Sequence, residues 1–182
     1  VNIFSYCAEF VDLTSKRTKS AEALVKEGDW GFTQLGNYTL AAPLVITSGT
    51  KTKVTFQANN ISYQAGVGLV TNYDFVNQKF IPSTVNDVFM VEVRLKVKPS
   101  AQNGHMDLLM ESPTFGFNPI NASSMAFTKG ANEEHFLSAN FLLFIGQDLI
   151  TNGVEFFIRP NGTSVSVYDV SYFIVRLASG KA

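Results

Sequence analysis

Alternation of apolar and polar residues is the dominant pattern along this chain, and it is clearest in Val88-Phe-Met-Val-Glu-Val-Arg-Leu-Lys-Val-Lys98. Phe89, Val91, Val93, Leu95 and Val97 take every second place, with Met90, Glu92, Arg94, Lys96 and Lys98 between them. A period of two predicts a strand with one face in a core and the other toward water or a partner. Pro99 ends the pattern by removing a backbone donor. The same reading predicts strands at Val1–Leu13, Leu44–Ile46, Lys51–Phe56, Met106–Met110, Ser123–Phe127, Val154–Arg159 and Ser164–Leu177. Ser48-Gly49 suggests a hairpin joining the second and third of these. Tyr73-Asp-Phe-Val-Asn-Gln-Lys-Phe-Ile81 turns at Asn77-Gln78, and Pro160-Asn161-Gly162 marks a turn near the end. Phe136 to Ile145 is almost continuously apolar, as in a strand covered on both faces.

Short strands spaced by turn residues, with hardly a helical period, predict an all-β sandwich or barrel. A brief helix-favouring piece after Ser20 is the exception. Residues 1–43 read as an N-terminal strand and attachment arm, and residues 44–182 as a β-sandwich domain, with Pro43 at the join. Gly28-Asp-Trp-Gly31 carries the only tryptophan, either as a stacking platform or as a plug for a barrel end or interface.

Composition narrows the function classes. Of 182 residues, 46% are hydrophobic and only 16% charged, with sixteen Phe and six Tyr, which favours aromatic packing in sheets or across a subunit contact. A net charge of −1 argues against a nucleic-acid partner, which would need a basic face, and Lys16, Arg17 and Lys19 form only a small cluster, read as a solvated linker with an anion or nucleic-acid contact as the alternative. Cys7 is the sole cysteine, so neither an intrachain disulfide nor a cysteine-based zinc site is expected. No apolar run nears the roughly 20 residues that span a bilayer, and no signal-peptide pattern is visible. A start at Val1 rather than Met fits a processed or trimmed chain.

Candidate chemistry is sparse. Phosphate-binding, nucleophile-elbow and zinc-protease motifs are missing from the sequence. His105 and His135 are the only histidines. Glu133-Glu134-His135 reads as solvated charge, since consecutive strand residues point to opposite faces. Glu92, Asp107, Glu111 and Glu155 read as outward members of alternating strands rather than a catalytic pair. The expectation is a protein without catalytic residues, metal or cofactor. In a carbohydrate-binding reading, Trp30, Tyr63 and Tyr73 would be the glycan or partner contacts.

From about Thr47 to Leu177 the order of features resembles the tumour-necrosis-factor/complement-type jelly roll. The similarity lies in Tyr73–Pro82, an aromatic turn before a short loop, then Val88–Leu95 as a central strand. It continues in Ser166-Val-Tyr-Asp-Val-Ser-Tyr-Phe-Ile-Val-Arg-Leu177, like that family's final aromatic-apolar strand. Asn86-Asp87-Val88-Phe89 stands where the family usually has a Gly-Tyr or Gly-Leu-Tyr lead-in. The resemblance implies a jelly-roll β-sandwich that assembles as a trimer, does no chemistry and binds protein or glycan partners. Similar heads occur on phage virions as capsid decorations or tail-fibre heads, bound to other virion proteins and in some cases to host-surface glycan or protein. The expected location is therefore the virion, with no nucleic-acid partner and no membrane insertion. Met90, Arg94, Phe141, Phe157 and Tyr172 are the candidate subunit contacts. A small icosahedral capsid subunit is a further reading, weakened by the lack of a strongly basic arm.

Overall fold

The computed structural model describes residues 30–34, 38–56, 61–65, 73–113, 119–178 and 180, with backbone alone for 30–34 and 61–65. Twelve strands and one short helix are placed among them: β1 (Trp30–Gln34), β2 (Leu44–Ile46), β3 (Thr52–Lys53), β4 (Ile61–Ala65), β5 (Tyr73–Asp74), β6 (Lys79–Phe80), β7 (Val88–Pro99), β8 (His105–Glu111), β9 (Asn121–Ala126), β10 (His135–Phe144), α1 (Gln147–Asn152), β11 (Glu155–Asn161) and β12 (Val165–Ala178). Sheet A runs β10-β7-β12-β1-β4, with β2 also paired to β12; sheet B runs β3-β11-β8-β9; β5 and β6 form a small ribbon. Every pairing among them is antiparallel.

The core lies between sheets A and B. β7 alternates as its sequence predicts: Phe89, Val91, Val93, Leu95 and Val97 are sealed inside. Met106, Leu108 and Met110 of β8 and Phe156 and Ile158 of β11 are buried in the same cluster. Burying a large aliphatic or aromatic side chain contributes about 1.5–3 kcal/mol. Toward β5, the rings of Phe56, Tyr73, Phe156 and Tyr172 form an aromatic cluster, with Phe56 and Tyr172 edge to face at 4.8 Å.

Three expectations change here. The stretches around Ser48-Gly49 do not form a hairpin: β2 pairs with β12 in sheet A, whereas β3 pairs with β11 in sheet B. The chain crosses between sheets there, and Gly49 supplies the positive φ the turn needs while its N–H donates to Pro160. Next, β10 is covered on one face only, because its burial alternates strictly. Finally, β1 belongs to sheet A between β12 and β4, so part of the stretch assigned to an arm is sandwich. The strand expected over Val1–Leu13, Cys7, the basic cluster and the piece after Ser20 lie outside the described residues. The six-residue α1 has no period long enough to stand out in the sequence.

Candidate interaction surface

The outer face of sheet A is assembled from the alternate residues of β10, β7 and β12. Register sets Leu142 beside Met90, and Met90 beside Val175. One step along, Phe144 lies beside Val88, and Val88 beside Ala178. Leu142 is 47% exposed and Phe144 67%, while Met90, Val88 and Val175 are partly exposed. The backbone of Trp30 continues the first row, opposite Val175 on one side and Ala65 on the other. Tyr63 sits opposite Phe32 in the adjoining row.

The other end of the same face is polar. Arg94 donates through Nε and Nη2 to the Glu92 carboxylate at 2.8 and 2.7 Å, and Ser138 Oγ donates to Glu92 Oε1 at 2.6 Å. Those hydrogen bonds, Arg94's first, hold the Glu92 carboxyl below the usual carboxylate range. Lys96 pairs with Asp169 at 3.1 Å, and Phe136, 61% exposed, lies beside Lys96. The surface is thus half apolar and half charge-balanced, with few charges seeking a partner.

Among the described residues β10 borders this face as the end strand of sheet A. Its ten residues, His-Phe-Leu-Ser-Ala-Asn-Phe-Leu-Leu-Phe, include no Lys, Arg, Asp, Glu, Pro or Gly. Edge strands are ordinarily guarded by such residues against pairing with another chain. One edge carbonyl, that of Leu142, accepts from Asn121 Nδ2 at 2.9 Å.

The predicted contact residues distribute unevenly. Met90 and Arg94 are on this face, Arg94 already engaged by Glu92. Phe141 and Tyr172 are buried within one chain, and so is Tyr73, which corrects their assignment as surfaces for a partner or a glycan. Burial raises the hydroxyl pKa of both Tyr73 and Tyr172 well above the ordinary tyrosine value. Phe157 sits on the far side of the sandwich, on sheet B, with the Lys51 ammonium 4.7 Å from its ring centroid. The side chains of Trp30 and Tyr63 lie outside what is described. Leu142, Phe144 and Val175 were missed, since a run apolar at nearly every position hides which members face out.

Sheet B carries a second polar group. Asp107 accepts from Arg159, Asn161 and Ser124, and Lys51 and Lys53 hold the facing carboxylates Glu111 and Glu155 at 2.6 and 2.7 Å. Each acid thereby has its own hydrogen-bonding or ionic partner, an arrangement of a sheet surface rather than of an acid–base pair. Among the described residues no group of His, Cys, Asp and Glu could hold a metal ion, and no helix is long and apolar enough to cross a membrane. His135, expected to be solvated, is instead 6% exposed, because β10 turns it into the core.

No protein-family model and no curated protein matches the chain. Solved structures do. The Eiger TNF from S. frugiperda has a TM-score of 0.50 at 10% identity, over 85% of this chain and 96% of that one. The fold is a TNF-like jelly-roll β-sandwich. PRD1 vertex protein P5 has a TM-score of 0.46 at 10% identity over 82% of this chain and 73% of its own. Murine APRIL has a TM-score of 0.43 at 11% identity over 81% and 99%. Identities this low speak to the jelly roll alone.

Proposed function

We propose that this chain is a non-enzymatic structural subunit of a virion, a jelly-roll capsid decoration or tail-fibre head that assembles as a trimer. The carrying observation is the uncharged β10 edge beside the exposed row of Leu142, Phe144, Met90 and Val175. A second copy of this chain is the occupant that the face suits. Its apolar half offers aliphatic and aromatic area, and its charges are paired within the chain, so little desolvated charge would be left unmatched. The TNF-like resemblance brings the expectation of threefold closure, in which one copy's patch meets a different patch on the next. The virion part of the reading is supported by composition: few charges, one cysteine, many Asn, Ser, Thr and Phe, and no catalytic motif.

The test is a double substitution, Leu142→Asp with Phe144→Asp, at two outward positions. Placing two carboxylates in an apolar contact weakens assembly by about a hundredfold, equivalent to about 2.7 kcal/mol, in a dilution series followed by light scattering. The thermal midpoint of the dilute chain should change little, because both side chains already meet water. An unchanged assembly constant would remove this face from the contact.

A further inference from the structure

His135 is the first residue of β10, and its ring packs edge to face on Phe127 at 5.2 Å, both residues being buried. Nε2 is closed off from solvent, and among the described residues no group hydrogen-bonds to it. Such an atom tolerates a bare lone pair, as in the neutral ring, far better than an N–H carrying charge. On β7 the register partner is Val97, fully buried, with Lys96 and Lys98 on the alternate face. Behind it on β12 is Val167, between Ser166 and Tyr168. From sheet B's side the neighbour is the Phe127 ring at the end of β9. The charged groups acting on the imidazole are Lys129 and Glu133, both in the connector from β9 to β10. Glu134 is occupied by the Tyr168 hydroxyl, and its carbonyl accepts from Lys129 Nζ. None of these contacts gives an imidazolium a hydrogen-bond acceptor at Nε2.

We propose that His135 is an acid-sensitive release for the start of β10: its protonation drives the ring out from against Phe127, opens residues 127–135 and weakens the subunit contact that β10 makes. The coupling to assembly rests on reading β10 as the assembly edge; the local opening does not. Burial, and secondarily the Lys129 charge, lower the affinity of the folded ring for a proton below the ordinary histidine value. The stability it contributes is therefore whole above the unfolded pKa of about 6.5 and is lost as pH falls from there toward the folded value. Phe136 adjoins His135 in sequence and is exposed at the polar end of the same outer face, so displacing one moves the other.

The experiment follows hydrogen-exchange protection of peptides spanning 128–137, corrected for intrinsic rates, together with particle mass by light scattering, from about pH 7.5 to about pH 5. It compares the wild type with His135→Phe, which keeps a ring against Phe127, and with His135→Gln, a smaller neutral replacement. In the wild type, protection falls by up to about tenfold per pH unit below about 6.5 and mass falls with it, while peptides of β7 keep their protection. Both variants stay flat across the same range. Equal loss in the variants, or no loss in the wild type, overturns the release. Loss of protection at constant mass overturns its coupling to assembly. A wild type already monomeric at about pH 7.5 overturns the assembly reading instead, and exchange then still decides the local opening.

Discussion

Asp87 ties three strand ends together at the residue scale. Its carboxylate accepts the Gly180 N–H at 2.8 Å and Arg176 Nη1 at 3.4 Å, while its backbone carbonyl accepts the N–H of Ile145 just past β10. The residue is fully buried, so Asp87→Ala should destabilise the domain by about 3 kcal/mol, read from the denaturant midpoint. Asp107 makes a separate prediction. Burial by itself would raise its pKa, but hydrogen bonds from Ser124 and Arg159 and the Arg159 charge outweigh that and hold the carboxyl below its usual range. Its contribution is present above the unfolded carboxylate pKa and is lost as pH falls through the lower, folded one. Asp107→Asn should therefore flatten the acid limb of a stability-versus-pH curve; an unaltered limb would mean that these hydrogen bonds add nothing. Neither role could be read in the sequence. In the sequence Asp87 stands out only as part of the Asn86-Asp87-Val88-Phe89 lead-in, and its partners lie 89 and 93 residues further on.

For elements, the periodic strands were the most legible. β7 alternates as its residues do because each inward position meets a filled layer, and Val93 has Ala139 and Tyr172 as cross-strand neighbours. Val93→Asp places an unpaired carboxylate there at a cost above about 4 kcal/mol, a large share of a domain's usual stability. Loss of soluble folded protein is expected, and an unchanged melting temperature would invert the face assignment. β10 was less legible for a physical reason. Phe141 and Phe144 are identical letters, one inside and the other outside, and only pairing with β7 fixes which is which. The same limit applies to residues 44–56, where local turn chemistry correctly marks Gly49 but cannot say that the flanking strands join different sheets.

Among the described residues of the whole molecule, sheet B keeps its outer acids matched to lysines and an arginine, whereas sheet A leaves an apolar half-face beside an edge without charged residues. On the proposed reading, sheet B is the surface that meets water and sheet A the one that meets another copy. The alternating strands and turn residues were visible in the sequence, which is why the fold class was readable from it. The location of the proposed contact was not, since it depends on which face of an apolar strand remains uncovered. Light scattering of the purified wild-type chain at micromolar concentration near neutral pH tests the central claim most directly. Threefold closure predicts a single species of about 60 kDa, three times the 20.0 kDa of one chain. A clean monomer with Leu142 and Phe144 left in water would contradict it.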